Sequence, residues 1–262
     1  MAPYDFEAPD ADTILRCSDG KELRVHKVVL SLASPVFRDM FSLPQPAEPS
    51  HTPIVDVPET SDILAPLVQH FYPCSPPKVP DLRVWDNLYT VADKYNAEAA
   101  TELLRDILIS RFLKTAPFRV YALASRWGLE EEAKVASWES LKMDISKGIP
   151  EEDAKLMGVV AFQKLYHLHV NCRDRARALI NDNPYTGGCV RGCPPFDFDG
   201  VVKVLSHRVS AKPRLTIQSL YSEIAAAPRM RGCSSCPNSL TKTHEWASKI
   251  LRLISELPQT IE

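Results

Sequence analysis

Polar and apolar positions alternate over residues 21–25 (Lys-Glu-Leu-Arg-Val), residues 12–17 form a β-prone run before them, and Ser18-Asp19-Gly20 between the two is a strong turn signal. The pattern predicts a β-hairpin. Apolar residues then fall at helical spacing over residues 26–33, and Ser34-Pro35 offers a capping side chain followed by proline at the first position of a second short helix through Phe41. Residues 43–53 carry Pro44, Pro46, Pro49 and Pro53 and read as an exposed loop. Residues 54–57 (Ile-Val-Asp-Val) predict a third strand. A helix capped by Thr60 or Ser61 should run to about Tyr72, where the Pro73-Cys74-Ser75-Pro76-Pro77 cluster stops it.

Beyond Pro80 the period of the apolar positions is helical almost throughout. Leu82, Trp85, Leu88, Tyr89, Ala92 and Tyr95 share one face, and Leu103, Leu104, Ile107, Leu108 and Phe112 another. Thr115-Ala116-Pro117 opens a helix through Trp127, Gly128 ends it, and residues 129–142 make its antiparallel partner. The longest candidate helix spans residues 159–182, with Phe162, Leu165, Tyr166, His169, Cys172, Ala176, Leu179 and Ile180 on its apolar face. Past Asp182 the composition shifts to Asn, Pro, Gly and Cys until about Gly200, which marks a subdomain boundary, and helices are expected near 200–210, 214–226 and 240–257. No repeat of solenoid or propeller length is visible.

Charge and composition then narrow the classes. A formal net charge of −2 on 262 residues gives no global field that would recruit nucleic acid or an anionic membrane surface. Residues 1–10 lack the basic start and apolar run of a secretory signal, and no apolar stretch reaches the ~18 residues a membrane span needs. Seven cysteines are an odd number without an export signal, so thiols or metal ligands in the cytoplasm or nucleus are expected rather than a disulfide framework.

The cysteines supply the one metal candidate. Cys189 and Cys193 (C-x3-C) and Cys233 and Cys236 (C-x2-C) lie in Gly- and Pro-rich stretches, a set that suits tetrahedral zinc in a structural role, because four thiolates leave no open position for water. The competing reading is four ordinary thiols, since the pairs lie further apart than in the common zinc ribbon. His244 and Cys172 are substitute ligands. His169 and Cys172 stand at i and i+3 and could ligate jointly, but a buried cysteine acting as a small hydrophobe beside a hydrogen-bonded core histidine is the stronger account; His167 lies on another face. Lys164, Arg173, Arg175 and Arg177 form a small basic cluster, interrupted by Asp174, that reads as a solvated helix face.

Asp12-Thr13-Ile14-Leu15-Arg16, Ser18-Asp19-Gly20, Val25-His26-Lys27, Val29-Leu30, Ser34-Pro35-Val36-Phe37 and Met40-Phe41 together closely resemble the opening signature of the BTB/POZ family. The resemblance implies an α+β fold, a small β-sheet covered by helices, followed by a mainly α-helical C-terminal region. Its implied divisions are a tail over 1–11, a BTB/POZ domain over 12–113, a helical region over 114–182 similar to the BACK extension, and a helical region with Cys-rich loops over 183–262. The wider pattern, including residues 40–46, is similar to the BTB group of basidiomycete, mushroom-forming fungi.

The signature residues Asp12, Asp19, His26, Leu30, Ser34, Phe37, Met40 and Phe41 are expected to be structural. Ile14, Leu15, Val25, Val28, Val29 and Val36 join them as core positions that let helices cover a sheet. His26, where a strand hands over to a helix, is read as a junction residue rather than a catalytic base. Long-form BTB dimers exchange an N-terminal helix and strand, and the eleven residues before Asp12 argue against such a swap. Cullin adaptors carry a hydrophobic residue, any residue and Glu just after the second short helix, whereas the nearest Glu here is Glu48 in Pro46-Ala47-Glu48.

The function expected is a protein-interaction adaptor or scaffold whose partner is a second copy, another protein or a cullin, including the reading as a ubiquitin-ligase substrate adaptor. The alternative is a zinc-stabilised chromatin or transcription factor. No P-loop, dinucleotide turn, H-E-x-x-H or nucleophile elbow is present, so no enzyme, no small-molecule substrate, no catalytic residue and no cofactor besides the candidate zinc are expected.

Overall fold

The computed structural model of the chain describes residues 4–43 and 52–182, together with 245–246, 248–250, 252–253, 256 and 261. The chain divides into two compact units, Met1–Phe112 and Leu113–Glu262.

In the first unit, β1 (Thr13–Arg16) and β2 (Glu22–Val25) form the expected hairpin, with Leu15 opposite Leu23 and Gly20 at φ +80 supplying the left-handed turn residue. β3 (Ile54–Asp56) joins β1 in parallel, Leu15 facing Val55, so the sheet order is β2-β1-β3. Position in the sheet explains the burial patterns. Central β1 buries Thr13, Ile14 and Leu15 in succession, whereas β2 buries Leu23 and Val25 and exposes Glu22 and Arg24.

Helices α1 (Lys27–Ala33) and α2 (Pro35–Ser42) follow, then α3 (Ser61–Gln69), α4 (Leu82–Lys94) and α5 (Glu98–Ile107), which passes into a π-helical turn at Leu108–Phe112. Trp85, Leu88, Tyr89, Ala92 and Tyr95 are buried as their spacing predicts, and the Trp85 indole N–H donates to the Leu104 carbonyl at 2.6 Å. Three expectations need correction. α3 stops at Gln69 rather than Tyr72, and His70, Phe71 and Tyr72 continue through tighter bonds to the third residue before each. Pro66 lies inside α3, within the range expected to be helical. Val28 is 63 % exposed rather than core, because the seven-residue α1, which packs against α2, buries one narrow stripe, here Leu30. Leu103 points outward while its neighbour Leu104 is fully buried.

In the second unit, α6 (Pro117–Arg126) packs against both α7 (Glu130–Ser140) and α8 (Glu151–Asp182). Burial on more than one side is why Val120, Tyr121, Ala122, Leu123 and Ala124 are all inaccessible. α6 ends in a Schellman motif: Gly128 takes φ +67, and the N–H of Leu129 reaches back to the Ala124 carbonyl at 2.8 Å. α8 begins at Glu151, ahead of the expected Val159, but a break at Gly158 (φ 71, ψ 169) sets the stretch from Val159 apart. Its buried stripe is Leu165, Leu168, His169, Cys172, Ala176 and Ile180. Phe162 and Tyr166, expected on that stripe, are exposed and stack on each other at 6.4 Å. Among the later residues described, 245–246, 248–250 and 252–253 are helical, with Trp246 and Ile250 buried. The helices expected at 200–210 and 214–226 lie outside the described residues.

Candidate interaction surface

Three polar residues of the first unit each hold the start of a helix. The Asp12 carboxylate accepts the Lys27 N–H at 2.8 Å, serving α1, whose own cap residue His26 makes no such bond. Asp19, in the hairpin turn, accepts both the backbone N–H (3.3 Å) and the hydroxyl (2.6 Å) of Ser61 at the first turn of α3. Those bonds, the hydroxyl's first, hold the Asp19 carboxyl below its ordinary range. Ser34 closes α1 through its N–H to the Leu30 carbonyl (2.9 Å). Its Oγ accepts from Phe37 N–H at 3.1 Å to cap α2 and donates to the Tyr95 carbonyl at 2.5 Å.

Leu30 and Phe37 are fully buried, with the Phe37 ring stacked 4.4 Å from Tyr95; Met40 and Phe41 are half-buried. Tyr95 also donates through its hydroxyl to Glu59 at 2.6 Å, and Lys94 pairs with the same carboxylate. Burial raises the Glu59 carboxyl, but the Lys94 and Tyr95 bonds outweigh it and leave the group below the usual glutamate range.

His26 sits beside the Tyr72 ring, with centroids 5.9 Å apart. Its backbone N–H donates to the Tyr72 hydroxyl (2.9 Å), its Nδ1 lies 3.3 Å from the Tyr4 hydroxyl and 3.2 Å from that of Tyr72, and its Nε2 lies 3.4 Å from Asp10. Tyr4 stacks on Tyr72 at 3.7 Å. Sequence reasoning missed this cluster, and the signal for it was there: half-buried Tyr4, Phe6 and Ala8 alternate with exposed Asp5 and Glu7. The Phe6 carbonyl accepts the Arg24 N–H at 2.9 Å, which brings this segment to the outer edge of β2.

The first unit also leaves apolar side chains open to solvent. Val28 and Leu32, one turn apart on α1, are 63 % and 84 % exposed, and Leu43, just past α2, is 62 % exposed. Val28 and Leu32 thus form an i, i+4 apolar pair that faces solvent on α1.

The chemical candidates fare differently. In the second unit, His169 is 1 % exposed with Nε2 2.9 Å from Ser140 Oγ, and Cys172 on the same stripe packs with Leu141 and Leu168. Burial pushes the Cys172 thiol up despite Arg175 nearby, and raises that of Cys17 to about 11, so neither is a thiolate at neutral pH. Among the described residues no group of three or more His, Cys, Asp or Glu side chains is arranged to hold a metal. Cys189, Cys193, Cys233, Cys236 and the substitute His244 lie outside the described residues, as does Glu48. Arg173 pairs with Asp174 at 2.9 Å, and Lys164, Arg175 and Arg177 are exposed. Among the described residues no helix is long and apolar enough to cross a membrane.

Compared with known proteins, residues 6–111 match the model of the BTB/POZ domain family, whereas no curated protein matches the chain. The matched span takes in the segment before β1 as well as the hairpin, the sheet closed by parallel β3, and the helices through α5. Residues 6–111 are therefore a BTB/POZ domain, a protein-interaction fold generally without catalytic activity, followed by a long helical C-terminal region.

Proposed function

We propose that the chain is an adaptor or scaffold whose BTB/POZ domain docks proteins through the outward face of α1, the first partner being a second copy. The observation that carries this reading is the exposed Val28 and Leu32 pair. A two-fold contact sets the same face of each copy against the other, so each side chain is used twice. A specific interface of this kind buries more than about 1,000 Å² in total.

Light scattering across a concentration series tests it. The wild type should weigh near twice 29.3 kDa, and Leu32→Glu should raise the dimer dissociation constant by at least about tenfold, since it buries an unpaired carboxylate. A wild type that stays monomeric, or a dimer indifferent to Leu32→Glu, counts against α1.

A cullin, and with it a ubiquitin-ligase substrate adaptor role, is the hetero-partner we set beside self-association; pull-down with a purified cullin N-terminal region is the direct test. A reducing compartment, cytoplasm or nucleus, is part of the proposal, and the thiols of Cys17 and Cys74, which are in no disulfide, support it. The zinc-stabilised chromatin reading draws no support from the basic cluster, where Arg173 is already paired with Asp174. Zinc at Cys189, Cys193, Cys233 and Cys236 is a separate proposal about chain stability. Elemental analysis should find about one zinc per chain, lost on Cys189→Ser.

A further inference from the structure

Among the described residues β2 pairs with one strand, β1, along one side. The bond from Cys17 N–H to the Lys21 carbonyl (2.8 Å) sets the alternation of the hairpin ladder, so Leu23 and Val25 exchange their backbone bonds with β1. The N–H and C=O groups of Glu22 and Arg24 therefore point away from the sheet. Among the described residues one backbone bond is made on that side, from Arg24 N–H to the Phe6 carbonyl.

We propose that residues 4–10 are a displaceable strap over this edge, and that the edge they cover is built to pair with β2 of a second copy, antiparallel and centred on Leu23. Only three antiparallel registers bring the outward groups of two β2 strands opposite each other. Centring on Glu22 sets Glu22 against Glu22, and centring on Arg24 sets Arg24 against Arg24. Centring on Leu23 sets Glu22 against Arg24 twice, with an N–H···O exchange at each pair and both side chains on the solvent face.

The strap is lightly held by comparison. It offers one ladder bond, the Tyr4 ring on Tyr72, and contacts of 3.3 and 3.4 Å to the two His26 nitrogens, the second from an Asp10 carboxylate that is mostly in water. An unpaired edge is an association site, and a strap that occupies it in cis keeps the domain from pairing there until it is displaced.

Sedimentation velocity on the full chain carrying Leu32→Glu tests this edge with α1 silenced. Adding Tyr4→Ala, which removes the stack on Tyr72, should produce a concentration-dependent dimer. Adding Glu22→Arg or Arg24→Glu to that background should each weaken it by about tenfold, because the first sets Arg against Arg and the second Glu against Glu. Mixing those two proteins should restore association, since an edge with arginine at both outward positions then faces an edge with glutamate at both. A folded Leu32→Glu/Tyr4→Ala protein that stays monomeric, or a mixture no tighter than its components, overturns the proposal. Should Tyr4→Ala lose helical signal in circular dichroism, Asp10→Ala loosens the same strap and is read by the same two outcomes. A dimer that persists in Leu32→Glu alone counts against the α1 face, and the mixing result still judges the edge.

Discussion

His169 shows how one side chain can make a helical unit acid-sensitive. Ser140 donates its hydroxyl proton to the Ser137 carbonyl at 2.6 Å, so the Ser140 oxygen accepts from His169 Nε2–H and Nδ1 is left as a buried lone pair with no hydrogen-bond partner. Burial lowers the His169 pKa from 6.5 to about 4. The folded form therefore holds the neutral ring, and stability is full above pH 6.5 and drains away as pH falls from 6.5 through 4. The loss amounts to about 3 kcal/mol if the unfolded ring titrates normally. Urea denaturation at pH 7.5 and 4.5 should show it in the wild type and much less in His169→Leu. Ser34 is the comparable residue in the BTB/POZ domain: Ser34→Ala removes the cap on α2 and the tie to the Tyr95 carbonyl, and should cost about 2 kcal/mol in thermal or chemical melts. The Ser34-Pro35 cap was legible in sequence because capping is local. The tie to Tyr95, 61 residues away, was not.

Local rules served the elements well where an element is bounded by its own residues. The hairpin, α2 after Ser34-Pro35, and the α6 stop at Gly128 all carry their signals within a few positions. They failed where neighbours decide. Val28 and Phe162 are apolar at helical spacing, yet which stripe of a short or interrupted helix is covered depends on what packs against it, and periodicity cannot supply that. Pro66 sits inside α3, where local propensity argues against a helix, and burial of Leu64, Leu67 and Val68 overrides it. At Gly158 the reverse holds: φ 71 admits glycine readily, and a Cβ there would meet nothing within 4 Å. With ψ at 169 the conformation is nearly restricted to glycine, so Gly158→Ala should cost about 1–3 kcal/mol from backbone strain alone, and a larger loss in melting experiments would show that the break also touches packing.

For the whole molecule, a clustered signature over residues 12–41 was enough to read the BTB/POZ fold, because those residues cap, turn and fill the sheet-and-helix core in a fixed order. The interaction surface was less legible. Exposure of Leu32 and the meeting of Phe6 with Arg24 are products of the folded chain, and no spacing rule contains them. Loss of zinc, if the four cysteines hold it, should lower the melting temperature while leaving α1-mediated association intact; chelation followed by light scattering separates the two.

The parallel partnership of β1 with β3 also sets an order of events during synthesis. β1 can zip to β2 as soon as residue 25 is made, but its other side stays open for about thirty residues more, until Ile54–Asp56 arrives. Even then Ser34 lacks its acceptor and Glu59 its hydroxyl donor until Tyr95 appears. A nascent chain arrested before Ile54–Asp56 carries a central strand open along one side and a half-built core, the state in which such a domain is most in need of a chaperone.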